Sequence, residues 1–373
     1  MDALMLPLNW QKVRLGDIGK PCMCKRVMKH QTTRYGEIPF YKIGTFGNTA
    51  DAFISKKLFL EYKTKYSFPK KGDILISASG TIGRAVIYDG KPAYFQDSNI
   101  VWIDNDETLV KNDFLFYAYS NVKWNTEHTT ILRLYNDNFR NTLIPLPPLN
   151  EQSAIANILS DLDRYLCALD ALILKKEGVK KALSFELLSQ RKRLKGFNQA
   201  WQRVRLGDIA NYLTSNLSAE QITQQGKIKV YDVNNFIGYT DTTFISDKPY
   251  ISIVKDGSVG RVRILPPKTN ILSTMGALIA NHRTTTEFLF YLLSNFDFKN
   301  FTSGSIIPHI YFKDYKEKTI FLPPLNEQSA IANILSALDN EIASLKNKKR
   351  QFENIKKALN HDLMSAKIRV LEK

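Results

Sequence analysis

Residues 146–160 read LPPLNEQSAIANILS, and residues 322–336 read LPPLNEQSAIANILS again, fifteen positions without a difference. The two prolines of each copy end a preceding strand, because proline is not tolerated inside a helix. Asn150 is suited to cap the helix that follows, and Glu151 then lies in the first turn, where the helix dipole favours a negative charge. Each copy therefore predicts the start of a helix at its asparagine.

The identity of the two copies needs a further explanation, since Asp or Ser would cap a helix as well as Asn. A recent duplication alone would also have kept the rest of the two halves alike, and they differ. Three explanations stay open: capping alone, packing of the copies on each other about a two-fold axis, or docking of the same partner by each copy. The residues predicted to dock that partner are Pro148, Leu149, Asn150, Glu151, Gln152, Pro324, Leu325, Asn326, Glu327 and Gln328.

The duplication extends well beyond these fifteen residues. WQKVRLGDI at 10–18 returns as WQRVRLGDI at 201–209, GTIGR at 80–84 corresponds to GSVGR at 257–261, and FLFYAYSN at 114–121 corresponds to FLFYLLSN at 288–295. The offset changes from 191 to 177, 174 and 176 along the chain, which places small insertions and deletions in the variable parts. Because this period is far longer than a solenoid repeat, each half is a whole domain with an appendage.

Each half divides into two parts by residue pattern. The first part predicts mixed, strand-heavy structure, with strands at DILIS and RAVIY around one Gly-x-x-Gly and at YISIV and RVRIL around the other. FLFYAYSN predicts a short buried helix. The second part lacks proline and predicts a helix of about 40 residues, about 60 Å long at 1.5 Å per residue, which favours coiled-coil pairing. Its apolar stripe in the first copy comprises Ile158, Leu162, Tyr165, Leu169, Leu172, Val179 and Leu183, widened by Leu159, Leu166 and Ile173.

These patterns predict an α+β fold of two mixed α/β globular domains separated by two long antiparallel α-helices in a coiled coil. Position 373 corresponds to 197, and 197 to 6, so the tandem repeat is expected to be pseudo-two-fold and pseudo-cyclic. The predicted boundaries are 1–145 for the first globular domain, 146–197 for the first helix with its proline-rich start, 198–321 for the second globular domain and 322–373 for the second helix.

The charge of the chain favours a polyanionic partner. There are 52 Lys and Arg against 36 Asp and Glu, a formal net charge of +16, and nucleic acid is the commonest partner of such proteins. A membrane surface is disfavoured, because no apolar run reaches 18 residues. The first ten residues do not resemble a signal peptide, and the odd count of three cysteines favours a reducing cytoplasm, so we predict a cytoplasmic protein. Cys22, Cys24 and His30 match no usual zinc spacing, and we predict no metal site.

The paired LPPLNEQ helices, the W-Q-x-V-R-L-G-D-I openings and the GTIGR and GSVGR hairpins resemble the specificity subunit of type I restriction–modification systems, over essentially the whole chain. The resemblance implies that each globular domain is a target recognition domain that reads one half of a split site in double-stranded DNA. It further implies that the helices set the gap and dock two copies of a DNA methyltransferase subunit, and that a motor-nuclease restriction subunit can join. The alternative is a specificity subunit of a related, type II-like enzyme with a different assembly.

The resemblance also implies a subunit that is not itself an enzyme and has no cofactor, since S-adenosylmethionine belongs to the methyltransferase, which modifies adenine. The residues agree with this. The chain has neither a Gly-rich S-adenosylmethionine loop nor an Asn-Pro-Pro-aromatic motif, and GTIGR lacks the Gly-Lys-Ser/Thr of a phosphate-binding loop.

The candidates for DNA contact cluster around the two Gly-x-x-Gly sequences. Arg84 and Arg261 follow them directly, and arginine forks onto guanine or holds a phosphate, although either residue would equally serve to fix its own hairpin. The neighbouring candidates differ between the copies, as base-reading positions of unlike half-sites should. The candidates are Ser77, Ser79, Thr81, Lys255 and Ser258, followed by Lys42, Arg133, Tyr135, Asn136, Asn234, His309 and Tyr311.

Overall fold

The computed structural model describes residues 7–128 and 132–370. The chain divides into two compact units: unit 1 consists of the residues up to Leu169 together with those from Lys348 onward, and unit 2 consists of Asp170–Asn347. Both boundaries fall inside long helices. Each unit therefore contains one globular domain, the first part of one long helix and the last part of the other.

Unit 1 begins with a mixed globular domain. Its elements in chain order are β1 (Gln11–Arg14), α1 (Leu15–Ile18), β2 (Gly19–Met23), β3 (Ile38–Tyr41), β4 (Phe53–Ile54), α2 (Lys56–Lys65), β5 (Ile74–Ser77), β6 (Ala85–Ile87), β7 (Tyr94–Phe95), β8 (Ile100–Asn105), α3 (Asn112–Tyr119), β9 (Glu127–His128), β10 (Leu132–Arg133), α4 (Asn136–Asn141), β11 (Leu143–Leu146) and the long helix α5 (Leu149–Leu188), which continues into unit 2.

Unit 2 repeats the same plan. Its elements are β12 (Gln202–Arg205), β13 (Ala210–Thr214), β14 (Ile228–Tyr231), β15 (Phe236–Thr240), β16 (Tyr250–Val254), β17 (Val262–Leu265), β18 (Asn270–Ile271), β19 (Met275–Ala280), α6 (Thr286–Ser294), β20 (Thr302–Ser303), β21 (His309–Ile310), α7 (Phe312–Tyr315), β22 (Thr319–Leu322) and the long helix α8 (Leu325–Met364), which continues into unit 1.

The sheets of the two units correspond strand for strand. The four-stranded sheet has the order β2-β8-β5-β6 in unit 1 and β13-β19-β16-β17 in unit 2. The three-stranded sheet has the order β4-β3-β7 or β15-β14-β18, with one parallel pair in each, β3 with β7 and β14 with β18. The predicted strands around both Gly-x-x-Gly sequences and the predicted short helices, now α3 and α6, are thus confirmed.

One helix accounts for most of the change in repeat offset. Unit 1 has α2, whose N-cap Ser55 accepts a hydrogen bond from the Leu58 amide at 3.2 Å, whereas unit 2 has no α-helix between β15 and β16. The offset falls from 190 at residues 36–46 to 177 at residues 80–84 across this region. The insertion lies away from the hairpin that follows it, so the hairpin geometry is kept in both units.

The two long helices have the predicted length, 40 residues each. They begin one residue before the predicted caps, at Leu149 and Leu325. The carbonyl of Pro148 accepts the first helical hydrogen bond, from the Gln152 amide at 2.9 Å, and places Asn150 inside the first turn rather than at the cap. The prediction of Asn150 and Asn326 as N-caps was therefore wrong, although each side chain still accepts a hydrogen bond from the next amide.

The buried face of α5 also differs from the predicted stripe. Ile158, Leu172 and Val179 were expected inside, and all three are exposed. Leu159, Leu169 and Ile173 of the predicted stripe are buried as expected, and Ile155, Ala156 and Leu187 are buried as well. On a helical wheel at about 100° per residue, the three exposed residues lie along one edge of the predicted stripe. Contact with the globular domain decides which edge is buried.

Within each unit the two helix segments run antiparallel, as predicted. In unit 2, Lys176 pairs with Glu341 at 2.8 Å, and Lys180, further along α5, pairs with Asp339, which comes earlier on α8. In unit 1, Asp163 pairs with Lys356, and the rings of Tyr165 and Phe352 lie 4.7 Å apart. Since exposed ion pairs contribute only about 0–1 kcal/mol each, these charges align the segments more than they stabilise them.

The identical LPPLNEQ segments form a buried junction in each unit. Glu151 is 6 % exposed and accepts hydrogen bonds from Trp10 Nε1 at 3.0 Å and from Arg369 Nε at 2.7 Å. Glu327 is 0 % exposed and accepts from Trp201 Nε1 at 2.9 Å and from Arg193 Nη2 at 2.7 Å. A buried carboxylate is tolerated only when it is paired in this way.

The adjacent glutamine joins the long helix to the short one. Gln152 donates to the carbonyls of Pro147 at 2.8 Å and Leu109 at 3.0 Å, and its Oε1 accepts from the amide of Lys111, the residue before α3, at 2.9 Å. Gln328 makes the equivalent bonds to Pro323, Arg283 and Thr285, the residue before α6. The amide uses both its donor and its acceptor sides, which neither Asp nor Glu would do.

A second repeated contact lies about three turns beyond this glutamine on each long helix. Tyr117 on α3 donates to Asp163 at 2.8 Å, and Lys356 from the other helix pairs with the same carboxylate. Tyr291 on α6 donates to Asp339 at 2.9 Å, which pairs with Lys180. Burial, and then the hydrogen bond to Asp163, raises the pKa of Tyr117, so this hydroxyl stays a donor at all physiological pH values.

We expect Trp201→Phe to weaken the junction of unit 2 without removing the ring that packs there. The variant loses one hydrogen bond to a buried carboxylate, an interaction of about 1.5–3 kcal/mol. Amide hydrogen exchange at residues 325–335 should become about ten- to a hundred-fold faster, as measured by mass spectrometry. Trp10→Phe is the matched variant and should act on residues 149–159 instead. Unchanged exchange in both variants would contradict a stabilising role for the indole bond.

Candidate nucleic-acid interface

The Gly-x-x-Gly sequence of unit 1 forms the turn of a β-hairpin between β5 and β6. The Ser77 amide donates to the Arg84 carbonyl at 3.0 Å, and the Gly83 amide donates to the Ser77 carbonyl at 2.9 Å. The Ser77 hydroxyl closes the turn further, because it accepts from the Arg84 amide at 2.9 Å and donates to the Thr81 carbonyl. Arg84 therefore leaves the turn at a defined position.

The hairpin of unit 2 has the same backbone. The Val254 amide donates to the Arg261 carbonyl at 2.9 Å, and the Gly260 amide donates to the Val254 carbonyl at 2.9 Å. Gly257 has φ +83° and Gly260 φ +80°, the left-handed region that side chains other than glycine rarely adopt. The two units thus hold different side chains on one backbone frame.

A second segment lies beside each hairpin turn. In unit 1, Ser79 forms a bridge with Arg133, and the Leu134 amide donates to the Ala78 carbonyl at 2.9 Å. In unit 2, the counterpart pair is Asp256 with His309, and the Ile310 amide donates to the Lys255 carbonyl at 2.9 Å. We call the two segments together the hairpin surface of each unit: residues 78–84 with 133–136, and residues 255–261 with 309–311.

Most of the predicted DNA-contacting residues lie on or beside the hairpin surfaces. Arg84, Thr81, Tyr135 and Asn136 are exposed in unit 1, as are Ser258, Arg261, Asn234 and Tyr311 in unit 2; Lys42, Arg133, Lys255 and His309 are half-buried. The contact of any of these residues with DNA stays a prediction.

Two predicted residues do not lie on the accessible surface. Ser77 is 2 % exposed, and its hydroxyl accepts the hydrogen bond from the Arg84 amide that closes the turn. Ser79 is 5 % exposed and donates to Asn99 Oδ1 at 2.8 Å. Both were predicted as base-reading positions because they differ between the copies. Their hydroxyls make hydrogen bonds inside the domain, and their contact with DNA stays a prediction.

In unit 2 an asparagine holds two arginines together. Arg261 Nη2 donates to Asn234 Oδ1 at 2.9 Å, and Arg263 Nη1 donates to the Asn234 carbonyl at 2.9 Å. The Arg263 guanidinium also lies over the Tyr231 ring, 5.3 Å from its centroid. The structure thus brings together Arg261 and Asn234, two residues predicted separately, and adds Arg263, which sequence reasoning missed.

The arginine of unit 1 is held less firmly. Arg84 Nη2 donates to the Gly47 carbonyl at 3.4 Å, a long hydrogen bond. Gly47 belongs to the same loop as Lys42, which pairs with Asp51 at 2.9 Å. The loop carrying Lys42 therefore approaches the hairpin through Arg84.

His309 has a carboxylate partner on the hairpin. Its Nδ1 lies 2.7 Å from Asp256 Oδ1, and its ring stacks on Tyr311 with centroids 6.4 Å apart. Burial raises the pKa of nearby Tyr212, and the negative charge of Asp256 adds to the effect. In unit 1 the equivalent positions are Ser79 and Arg133, so the two hairpin surfaces differ in charge and in hydrogen-bonding groups at matched places.

A family model, the type I restriction modification DNA specificity domain, matches residues 7–176 and 198–354. The chain belongs to this family. The resemblance stated from the sequence is thereby confirmed, together with the fold class of two target recognition domains and two long helices in a tandem repeat.

Several relatives agree with this assignment. A putative type I restriction enzyme specificity subunit of Haemophilus influenzae is 62% identical over 152 residues, and the match covers 40% of each chain. The MjaVIII specificity subunit of Methanocaldococcus jannaschii is 26% identical over 414 residues, 99% of this chain and 95% of the relative. The putative MjaX specificity subunit of the same organism is 29% identical over 405 residues, 98% of this chain and 95% of the relative.

Solved structures show the same fold. The S subunit of a type I system from M. genitalium has a TM-score of 0.64 at 21% identity and is matched over 97% of this chain and 98% of that chain. A chain from a structural study of assembly and conformational transition in a type I system has a TM-score of 0.58 at 16% identity, with 96% and 98% covered.

The segment predicted to dock a partner divides into inner and outer residues. Glu151, Gln152, Glu327 and Gln328 are buried and hydrogen-bonded within their own units, and the docking role expected of them stays a prediction. Asn150 and Asn326 are exposed, as are Leu149 and Leu325, and Pro148 and Pro324 are half-buried. Docking by these six residues stays a prediction.

The described residues contain neither a candidate metal site nor a candidate membrane-spanning helix. Within residues 7–128 and 132–370, no cluster of three or more His, Cys, Asp or Glu side chains has the arrangement of a metal site. In the same ranges, no helix has the length and apolarity that crossing a membrane requires.

The two glycines of the unit 2 hairpin give a matched pair of variants. A Cβ at Gly257 would meet no atom within 4 Å, whereas a Cβ at Gly260 would lie 2.6 Å from Phe298 Cδ2. Gly257→Ala should therefore cost only the left-handed backbone, about 1–2 kcal/mol. Gly260→Ala should cost about 1–3 kcal/mol more through overpacking. Urea unfolding of both variants measures the difference, and equal midpoints would contradict the packing of Phe298 against the turn.

Proposed function

We propose that this protein is a DNA-sequence-specificity subunit that reads a bipartite site in duplex DNA and is not itself an enzyme. One observation carries the proposal: two hairpin surfaces with one backbone frame have an exposed arginine at the same place, Arg84 or Arg261, and unlike neighbours. Unlike neighbours on a common frame suit two half-sites of different sequence. Family membership favours this function over that of a specificity subunit in a type II-like enzyme.

The chemistry that would act on DNA is proposed to belong to partner subunits. Two copies of a methyltransferase subunit, which would bind S-adenosylmethionine, are the proposed partners, one for each copy of the LPPLNEQ helix start. The exposed apolar side chains on the long helices, among them Ile158, Leu172, Leu174 and Ile355, support a docking role, because apolar residues of this size are costly to leave in water without a partner. Association with a restriction subunit in the cytoplasm completes the proposal.

Stoichiometry tests the docking proposal. The mass of the complex with a methyltransferase partner, measured by native mass spectrometry, should correspond to two methyltransferase copies. The isolated chain should transfer no methyl group. Methyl transfer by the isolated chain, or a complex with one methyltransferase only, would overturn this part of the proposal.

Arg261→Ala is expected to impair recognition of one half-site, and Arg84→Ala the other. A bidentate arginine–guanine contact discriminates by about 1–3 kcal/mol, which corresponds to roughly 5- to 150-fold. The measurement is methylation, by the complex with the methyltransferase, of a library in which each half-site is randomised. Arg205→Ala is the matched control, because Arg205 is an exposed arginine of unit 2 that pairs with Glu317 away from the hairpin surface.

The variant Asn234→Ala tests the support that Asn234 gives to Arg261 separately from Arg261 itself. It removes the side-chain acceptor that holds Arg261, so it should relax the same base position as Arg261→Ala, by a smaller factor. If Arg261→Ala instead lowered methylation of all sequences equally, the residue would hold a phosphate or the hairpin, and the base-reading role would be wrong.

Binding to duplex DNA should weaken with salt, because each phosphate contact releases a counterion. Even two contacts predict about a tenfold loss of affinity when the salt concentration rises fourfold. The affinity should be measured by fluorescence anisotropy with the methyltransferase bound, on the specific duplex and on a scrambled one. An affinity that stays flat from 50 to 200 mM salt would contradict a proposal based on the +16 charge.

A further inference from the structure

Two isoleucines stand exposed at the tip of the hairpin between β20 and β21. Ile306 is 92 % exposed and Ile307 is 54 % exposed. Side chains of this type are usually inside a protein, and adjacent exposed isoleucines on a loop tip contribute nothing to the core. Neither residue was singled out from the sequence.

The tip has a defined shape. Gly304 has φ +91°, and a Cβ at this position would lie 2.2 Å from the Ile307 carbonyl oxygen. The strands on either side pair antiparallel, Thr302 with Ile310 and Ser303 with His309. The turn therefore folds tightly on itself and presents the two isoleucines on a preformed support, which lowers the entropy cost of using them in a contact.

The tip is continuous with the hairpin surface of unit 2. The Gly257 amide donates to the Pro308 carbonyl at 2.9 Å, and Asp256 contacts His309. Ile307 thus directly precedes Pro308, the residue whose carbonyl accepts a hydrogen bond from the Gly-x-x-Gly turn. The tip and the Gly-x-x-Gly turn that carries Ser258 are therefore joined by direct contacts.

The charges around the tip fit a nucleic acid. Lys299 precedes β20, Lys255 lies in the neighbouring turn, and Lys313 lies over the Tyr311 ring, 5.4 Å from its centroid. Basic side chains around an apolar tip suit phosphates around a groove. The apolar group that duplex DNA displays at a base edge in the major groove is the C5-methyl of thymine.

We propose that Ile306 and Ile307 contact the C5-methyl group of a thymine in the half-site read by unit 2, and so specify an A·T pair there. The inference rests on the proposed function, and it adds a base-specific contact that is apolar rather than hydrogen-bonded. A contact with a methyl group is preferred to insertion between base pairs, because insertion would have to offset the lost stacking of a base step.

The experiment removes the methyl group from the DNA and the isoleucines from the protein. Once methylome sequencing has given the site, each thymidine in both half-sites is replaced in turn by deoxyuridine, which lacks only the methyl group. Affinity is measured for the complex with the methyltransferase. For the wild-type protein one replacement, in one half-site, should weaken binding about fourfold, the value of burying one methyl-sized group.

The double variant Ile306→Ser/Ile307→Ser should bind the thymidine and deoxyuridine duplexes equally, because the cycle removes the same contact from either side. Phe244→Ser, a change at an exposed apolar side chain in the loop between β15 and β16 of the same unit, is the control and should keep the fourfold preference. The circular dichroism spectrum and the number of bound methyltransferase copies should match those of the wild type.

Three outcomes would overturn the inference. The first is a wild-type complex that is indifferent to every replacement. The second is a double variant that keeps the thymidine preference. The third is a double variant that loses methyltransferase copies, which would make the tip a protein interface. Failure of the proposed function looks different, because the wild-type complex would then bind specific and scrambled duplexes alike, before any replacement is made.

Discussion

A buried carboxylate at the start of each long helix is the interaction on which the rest of the structure depends. Glu151 and Glu327 are held away from water, and a charge in that position is stable only while its partners stay in place. Those partners come from different parts of the chain: a tryptophan that begins the globular domain and an arginine that follows the end of the other long helix. One side chain thus ties together three segments in each unit.

The apolar cores follow from the same arrangement. The core of the first globular domain includes Ile155 and Leu159 from the start of α5 and Leu363 from the end of α8. That of the second includes Ile331 and Leu335 from the start of α8 and Leu187 from the end of α5. Each long helix therefore contributes its start to one core and its end to the other. The hairpin surfaces lie on domains whose cores these helices complete.

Sequence predicted the features that depend on local pattern. Residue periodicity or a turn residue predicted the strands around each Gly-x-x-Gly, the short buried helices and the 40-residue helices. The repeated junction was visible only in part. Arg193 and Arg369 recur at the offset of the helix starts, 176, and Trp10 and Trp201 at the offset of 191, but nothing local predicts that they meet a glutamate. The exposed position of Ile158 likewise follows from contact with a distant segment.

In the candidate interface, too, the local features were predictable from the sequence and the long-range contacts were not. The glycines fixed the place of Arg84 and Arg261 in advance, because a tight turn presents the residue that follows it. The hydrogen bonds of the Ser77 hydroxyl within the turn were not predicted, and Asn234 meets Arg261 from 27 residues away, a pairing that no spacing rule predicts. Arg263 had a usable signal, because alternate residues of a strand share a face and it lies two positions after Arg261.

The origin of the junction arginines bears on the order of folding during synthesis. Unit 2 is one continuous stretch, Asp170–Asn347, and its Arg193 is made before its Glu327. In unit 1, Arg369 is made 218 residues after Glu151. The domain translated first is thus the last to receive its junction arginine. A chain that stopped before residue 348 would contain all of unit 2 but would lack the last part of α8, which completes the core of unit 1.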